Sequence, residues 1–181
     1  MGKIELPPRA LLFAGLLYNR RVDRDILFSV LEKEFGSIIL QSESFQFSET
    51  NYYYNEMGSD LCRVWVGFDS LIDQDRIVEV KLRSNELEHE LFSTGGRRDA
   101  NIDTGFITHG KVVLATTKNH QHRVYLRDGI YAEVTLRYRS KTFMPWEWTY
   151  PDYRRIEAIK FFNALRTFYK KRLLADNQEN L

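Results

Sequence analysis

The sequence predicts an α+β protein, and three observations carry the prediction. Short apolar runs, continuous or alternating, recur in both halves of the chain. Three longer segments instead show apolar residues at helical spacing. Asp128-Gly129 joins two alternating runs, and such a pair suits a type I′ hairpin because that turn needs positive φ at both central positions.

Taken in order, Ala10 to Tyr18 is almost wholly apolar and reads as a central strand buried on both faces. A helix follows from about Asp23, a suitable N-cap, to Phe35, with Gly36 to stop it. Ser37 to Phe47 and Leu61 to Phe68 read as the second and third strands. The segment Asp73 to Phe92 carries both periods, and its length favours a helix that ends near Gly95. Strands are expected at Ile102 to Ile107 and Lys111 to Lys118, then a hairpin of His122 to Arg127 and Ile130 to Tyr138. An irregular aromatic loop, Pro145 to Tyr150, leads to a terminal helix from Pro151 to Leu174, with a polar, frayed tail over 175–181. The order β-α-β-β-α suits a ferredoxin-like, split β-α-β start, extended by an antiparallel β-meander and a C-terminal helix. One domain spanning residues 1–181, with all helices on one face of the sheet, is the expected arrangement.

Composition narrows the function classes. Of 181 residues, 26 are Lys or Arg and 25 Asp or Glu, so the net charge of +1 selects neither nucleic acid nor membrane. The single cysteine, Cys62, excludes an intrachain disulfide and a paired-cysteine zinc site. Within its apolar strand it reads as a packed thiol. The longest apolar run falls short of the ~20 residues of a membrane helix. It lacks a cleavage site, and Leu6 spoils a myristoylation signal. A cytoplasmic, soluble protein is the expectation.

Several motifs resemble one bacterial family of unknown function. They are Tyr53-Tyr54-Asn55-Glu56-Met57-Gly58, Asn101-Ile102-Asp103-Thr104-Gly105, His122-Arg123-Val124-Tyr125-Leu126 with Gly129 to Leu136, and Trp148-Thr149-Tyr150-Pro151-Asp152-Tyr153. The likeness spans nearly the whole chain. Thr104 stands where the family's Asp-Pro-Gly motif has proline, which loosens the turn but keeps Asp103 and Gly105. The resemblance brings no established activity, and it leaves any cofactor unknown.

The candidate site is the hairpin. In a simple two-residue register, His122, Glu133, Thr135 and Arg137 share one face, while Ile130, Ala132, Val134 and Leu136 face the core. Imidazole, carboxylate and guanidinium together can do acid–base work or hold an anion. A solvated sheet face with an ordinary Glu–Arg pair is the plain alternative. The resemblance adds weight to Lys118, His122, Arg123 and Glu133. Glu133 and His122 are the candidate proton-transfer pair, Lys118 and Arg123 the anion holders, and the loop carboxylates Glu56 and Asp103 would orient substrate or a cation. The simple register puts Arg123 on the opposite face, and either a bulge or the strand end could change that. His120, His122 and Glu133 could ligate a metal, but no helical pair of histidines backs them, and none is expected.

A small anionic ligand is thus the expected partner. The alternative is a nucleic-acid or protein interaction module. From Arg154 to Arg172 there are seven basic residues and one acid, giving +6 against −5 for the rest, and Trp146, Trp148 and Tyr150 lie nearby for stacking. The oligomeric state is not written in these patterns.

Overall fold

A computed structural model describes residues 2–50 and 52–179. The chain runs through β1 (Ala10–Asn19), α1 (Arg24–Phe35), β2 (Ile38–Gln41), β3 (Phe45–Gln46), α2 (Tyr54–Met57), β4 (Leu61–Ile72) and α3 (Ile77–Leu91). It continues through β5 (Ser93–Thr94), β6 (Arg97–Arg98), β7 (Ala100–Ile107), β8 (Lys111–Thr116), β9 (Val124–Arg127), β10 (Ile130–Arg139), β11 (Thr142–Pro145) and α4 (Ile156–Glu179). The fold is α+β. Its main sheet is antiparallel, in the order β11-β10-β8-β7-β1-β4-β2, with β3 beside β4 and β9 beside β10. Strand β4 lies between β1 and β2, the strands that α1 connects; β1 lies between β4 and β7, which α3 connects.

All ten residues of β1 are buried, because helices cover both faces of the sheet. Leu12, Ala14 and Leu16 join Leu27 and Leu31 of α1 and Val78 and Leu87 of α3 in one core. Leu11 and Phe13 join Phe161, Phe162 and Leu165 of α4 in another. The expectation of helices on one face is therefore corrected: an apolar strand with no polar face needs cover on both sides, and α4 supplies the second layer. Cys62 is buried in the first core.

Other elements shift in detail. The strand expected over Ser37 to Phe47 is broken into β2 and β3, and β11 forms just before the expected loop, sharing only Pro145 with it. Gly95 does not cap α3, whose C-cap is Phe92; Gly95 and Gly96, with φ of 59° and 79°, turn the β5–β6 hairpin instead. The residues from 175 to 179 continue α4, while 180 and 181 lie outside the described residues. The buried stripe of α4 is Ala158, Phe161, Phe162, Leu165 and Tyr169. Ile156 and Phe168 fit an apolar periodicity with Ile159, Phe162 and Leu165, but they are 61% and 39% exposed, because the buried stripe is rotated around the axis.

The Asp128-Gly129 turn forms with φ of 54° and 77°, and Arg127 pairs with Ile130 as expected. The register then slips: Tyr125 pairs with Tyr131 and Val124 with Ala132. A second slip, against β8 between Val134 and Leu136, turns these two residues to different cores. Leu136 is therefore fully buried beside α4, and Val134, expected to face the same side, is only partly buried on the opposite one.

Candidate functional site

The site begins where two strands part. β7 pairs with β8 only from Gly105 to Ile107, against Val112 to Leu114. Gly105 makes the last pair, and only glycine fits there, since a Cβ would run into the Val113 carbonyl and the Phe13 ring. Beyond it, the unpaired edge of β7 is served by α3. Lys81 Nζ donates to the Ile102 carbonyl at 2.9 Å, and the Ile102 amide donates to Glu88 Oε1 at 2.6 Å. The opening is a cleft of about 450 Å³. Asn101 and Asp103 line one side, Leu114 to Lys118 the other, and Tyr52, Tyr53 and Tyr150 to Asp152 also border it.

Five cationic side chains reach this cleft: Arg63, Lys81, Arg98, Lys118 and Arg123. Arg63 is buried, with Nη2 at 2.8 Å from Asp152 and Nη1 at 3.5 Å from Asp103. Burial works against its charge, but Asp152, Tyr153 and Asp103 outweigh that and hold it firmly protonated. Burial also lifts the Asp152 carboxyl above its ordinary range, by more than Arg63 pulls it back. Lys81 lies 4.0 Å from Asp103, whose carboxylate remains 30% exposed. Arg98 forks onto Glu56 at 2.6 and 2.9 Å and reaches Glu88 at 2.6 Å. The Arg98 bond holds the Glu56 carboxyl low, whereas burial raises that of Glu88. Lys118 Nζ donates to Tyr52 Oη at 3.1 Å and sits 4.3 Å from that ring's centroid. Among the described residues no carboxylate lies within 4.0 Å of it.

Glu133 is 2% exposed, in place of the open polar face that strand alternation suggests. Its Oε2 accepts from Arg123 Nε at 2.7 Å and faces His122 Nε2 at 3.1 Å; Thr135 Oγ1 donates to Oε1 at 3.2 Å. The slip in the hairpin accounts for Arg123. With Val124 opposite Ala132, the preceding residue falls beside Glu133. Arg123 also donates to the Lys118 carbonyl at 2.9 Å and to Tyr150 Oη at 2.6 Å. With both its oxygens engaged, Glu133 is suited to hold Arg123 and His122 in place. Asp103 is the cleft carboxylate with room to meet a ligand.

Of the residues singled out from sequence, Asp103, Lys118, Arg123 and Glu133 line the cleft. Glu56 lies behind Arg98, and His122 borders an adjoining concavity. Arg63, Lys81, Arg98, Asn101 and Asp152 were not legible as site residues. A lone arginine inside the apolar run Leu61 to Val66 was the one available signal for Arg63, and the Trp-Thr-Tyr-Pro-Asp-Tyr motif for Asp152. Lys81 carries no such mark, and Arg98 stands in the Thr94-Gly95-Gly96-Arg97-Arg98 run, which invites a phosphate-loop reading but reads better as a glycine turn with two exposed arginines. Among the described residues, no group of three His, Cys, Asp or Glu side chains is placed to hold a metal ion.

The four arginines of the basic terminal segment bond to the protein itself, whereas Lys160, Lys170 and Lys171 are exposed. Arg154 donates to the carbonyls of Thr149 and Glu147, Arg155 pairs with Glu49, and Arg172 donates to the Asp69 carbonyl. Arg166 donates to the His109 carbonyl and covers the Tyr138 ring. Trp146 and Trp148 stack on each other, with centroids 5.0 Å apart, and point their stack toward His122. No helix among the described residues is long and apolar enough to cross a membrane.

A family model described as a domain of unknown function (DUF4416) matches residues 8–169. No curated protein matches the chain, and no solved structure does.

Proposed function

The chain belongs to this family of unknown function, and we propose that it binds a small organic anion in the cleft between β7 and β8. The observation that carries the reading is Lys118, a cation at the cleft that makes no ion pair within 4.0 Å among the described residues, its charge reaching the Glu56 carboxyl only at longer range. The other four cations are balanced by Asp103, Asp152, Glu56, Glu88 and Glu133. A ligand's anionic group would give Lys118 the acidic partner that it lacks within 4.0 Å among the described residues, with Arg123 next to Lys118 as its second donor. The Asn101 amide nitrogen, buried without a partner, and the open Asp103 carboxylate suit hydroxyls on that ligand. A cleft of this size fits a sugar phosphate or a comparable hydroxy acid. His122, oriented by Glu133, is the group positioned to move a proton at the ligand's outer end.

Calorimetric titration with ribose 5-phosphate tests the reading. Lys118→Ala should weaken binding about tenfold or more, the loss of one charge-assisted contact. The double variant Lys170→Ala with Lys171→Ala should leave binding unchanged, since both side chains are exposed on α4 away from the cleft. No binding by the native protein, or loss confined to the lysine pair, would place the anion surface elsewhere or nowhere.

A further inference from the structure

A second concavity, of about 560 Å³, opens beside the cleft. Lys118, Arg123 and Tyr150 border both, so the two are continuous across a cationic ridge. The second concavity is otherwise bounded by the rings of His120, His122 and Trp148 and by Asn119, Gln121 and Glu147. These rings belong to a ladder. Trp146 stacks on Trp148 at 5.0 Å with planes 8° apart, Trp148 on His122 at 5.5 Å and 16°, and His122 meets His120 at 5.0 Å and 40°.

The ladder is fixed along its length and open at one end. The Arg137 guanidinium covers Trp146 at 3.9 Å, closing the far end. Trp148 Nε1 donates to the Val134 carbonyl at 3.1 Å, and Glu133 engages His122. The Arg123 amide donates to the His120 carbonyl at 2.9 Å, which holds the turn carrying the last rung. His120 is exposed, and among the described residues no second ring covers it. A stacking surface whose rungs are already ordered costs little further entropy when a ring joins it.

We propose that this concavity receives a planar heteroaromatic ring of the same ligand, which makes the ligand class a ring-bearing organic phosphate of the nucleoside monophosphate kind. The proposal rests on the cleft reading above. Its anionic group would lie at the Lys118–Arg123 ridge, and its ring against His120. Two chemical features of one ligand are thereby matched by two adjoining surfaces, one cationic and one aromatic.

Titrations with adenosine 5′-monophosphate and ribose 5-phosphate, run in parallel, test this. The nucleotide should bind about tenfold more tightly than the sugar phosphate, the scale of one base–aromatic stack. His120→Ala should remove that advantage and leave ribose 5-phosphate binding unchanged, whereas Lys118→Ala should weaken both. Equal affinities of the native protein for the two probes would overturn the ring site and leave the cleft reading standing. So would a His120→Ala loss shared equally by both probes. Binding of neither probe would overturn both readings.

Discussion

Glu133 and Arg123 are enclosed to within 1% and 4% of their side-chain surface and joined at 2.7 Å. Burying a charge is costly unless its partner stays, so each supports the other's position. Glu133→Gln keeps the volume but replaces the anion that Arg123 needs with a neutral amide. We expect a loss of about 1.5–3 kcal/mol in urea melts, the range for a hydrogen bond to a charged group. A loss within error would mean that Arg123 finds another acceptor and that Glu133 does not hold the site together. This residue also marks a limit of pattern reading. Alternation along β10 correctly separates Glu133 from Val134, but it treats the polar face as solvated. That it is enclosed depends on Tyr150, Trp148 and the Lys118 loop, which arrive from elsewhere in the chain.

Among the elements, α4 and the β9–β10 hairpin show how a small rotation or slip reassigns side chains. Phe162 is fully buried, stacked near Tyr153 and edge-on to Phe13, while Ile156 is 61% exposed about one and two-thirds turns away. Phe162→Ala should therefore cost ~3–5 kcal/mol, a transfer loss plus a cavity. Ile156→Ala should fall within about 0.5 kcal/mol. Similar losses for both in thermal or urea unfolding would contradict the docking of α4 on β1. The apolar periodicity made this helix legible, but a stripe of phenylalanine, leucine and isoleucine is wide enough to fit more than one rotation. Likewise Asp128-Gly129 announced the turn, and nothing local announced the slip at Leu126 that places Arg123 over Glu133.

For the whole molecule, the charge network ties separate segments together and gives the fold a pH signature. Arg98 joins α2 and α3 through Glu56 and Glu88, and its hydrogen bond holds the Glu56 carboxyl below the ordinary value. A carboxyl lowered in the folded state stabilises it fully above the unfolded-state pKa, near 4.5. That contribution is lost as the pH falls through the depressed folded-state value. The gap in melting temperature between the native protein and Glu56→Gln should thus be widest at neutral pH and close as the pH drops below about 4.5. A gap independent of pH would show that packing at Glu56, and not its charge, supports α2. Glu88, raised by burial, has the opposite sign: it favours the fold when protonated, and it loses that advantage as the pH rises through its folded-state value. Because both proteins carry Glu88, its direct effect largely cancels in the comparison.

The sequence by itself determined the α+β class, the burial of β1 on both faces, the Asp128-Gly129 turn and most of the strands and helices. These follow from local rules: side-chain period, backbone freedom at glycine, and the capping preferences of helix ends. It also pointed to Asp103, Lys118, Arg123 and Glu133, which share the cleft. Only the tertiary structure decided that there is a cleft at all. It exists because β7 and β8 stop pairing after Gly105 and because α3 satisfies the freed Ile102 backbone. Arg98 meets Glu56 across 42 positions of chain, and Lys81 meets Ile102 across 21. No local pattern encodes such meetings, since they are set by which faces the helices cover and where a ladder of hydrogen bonds ends.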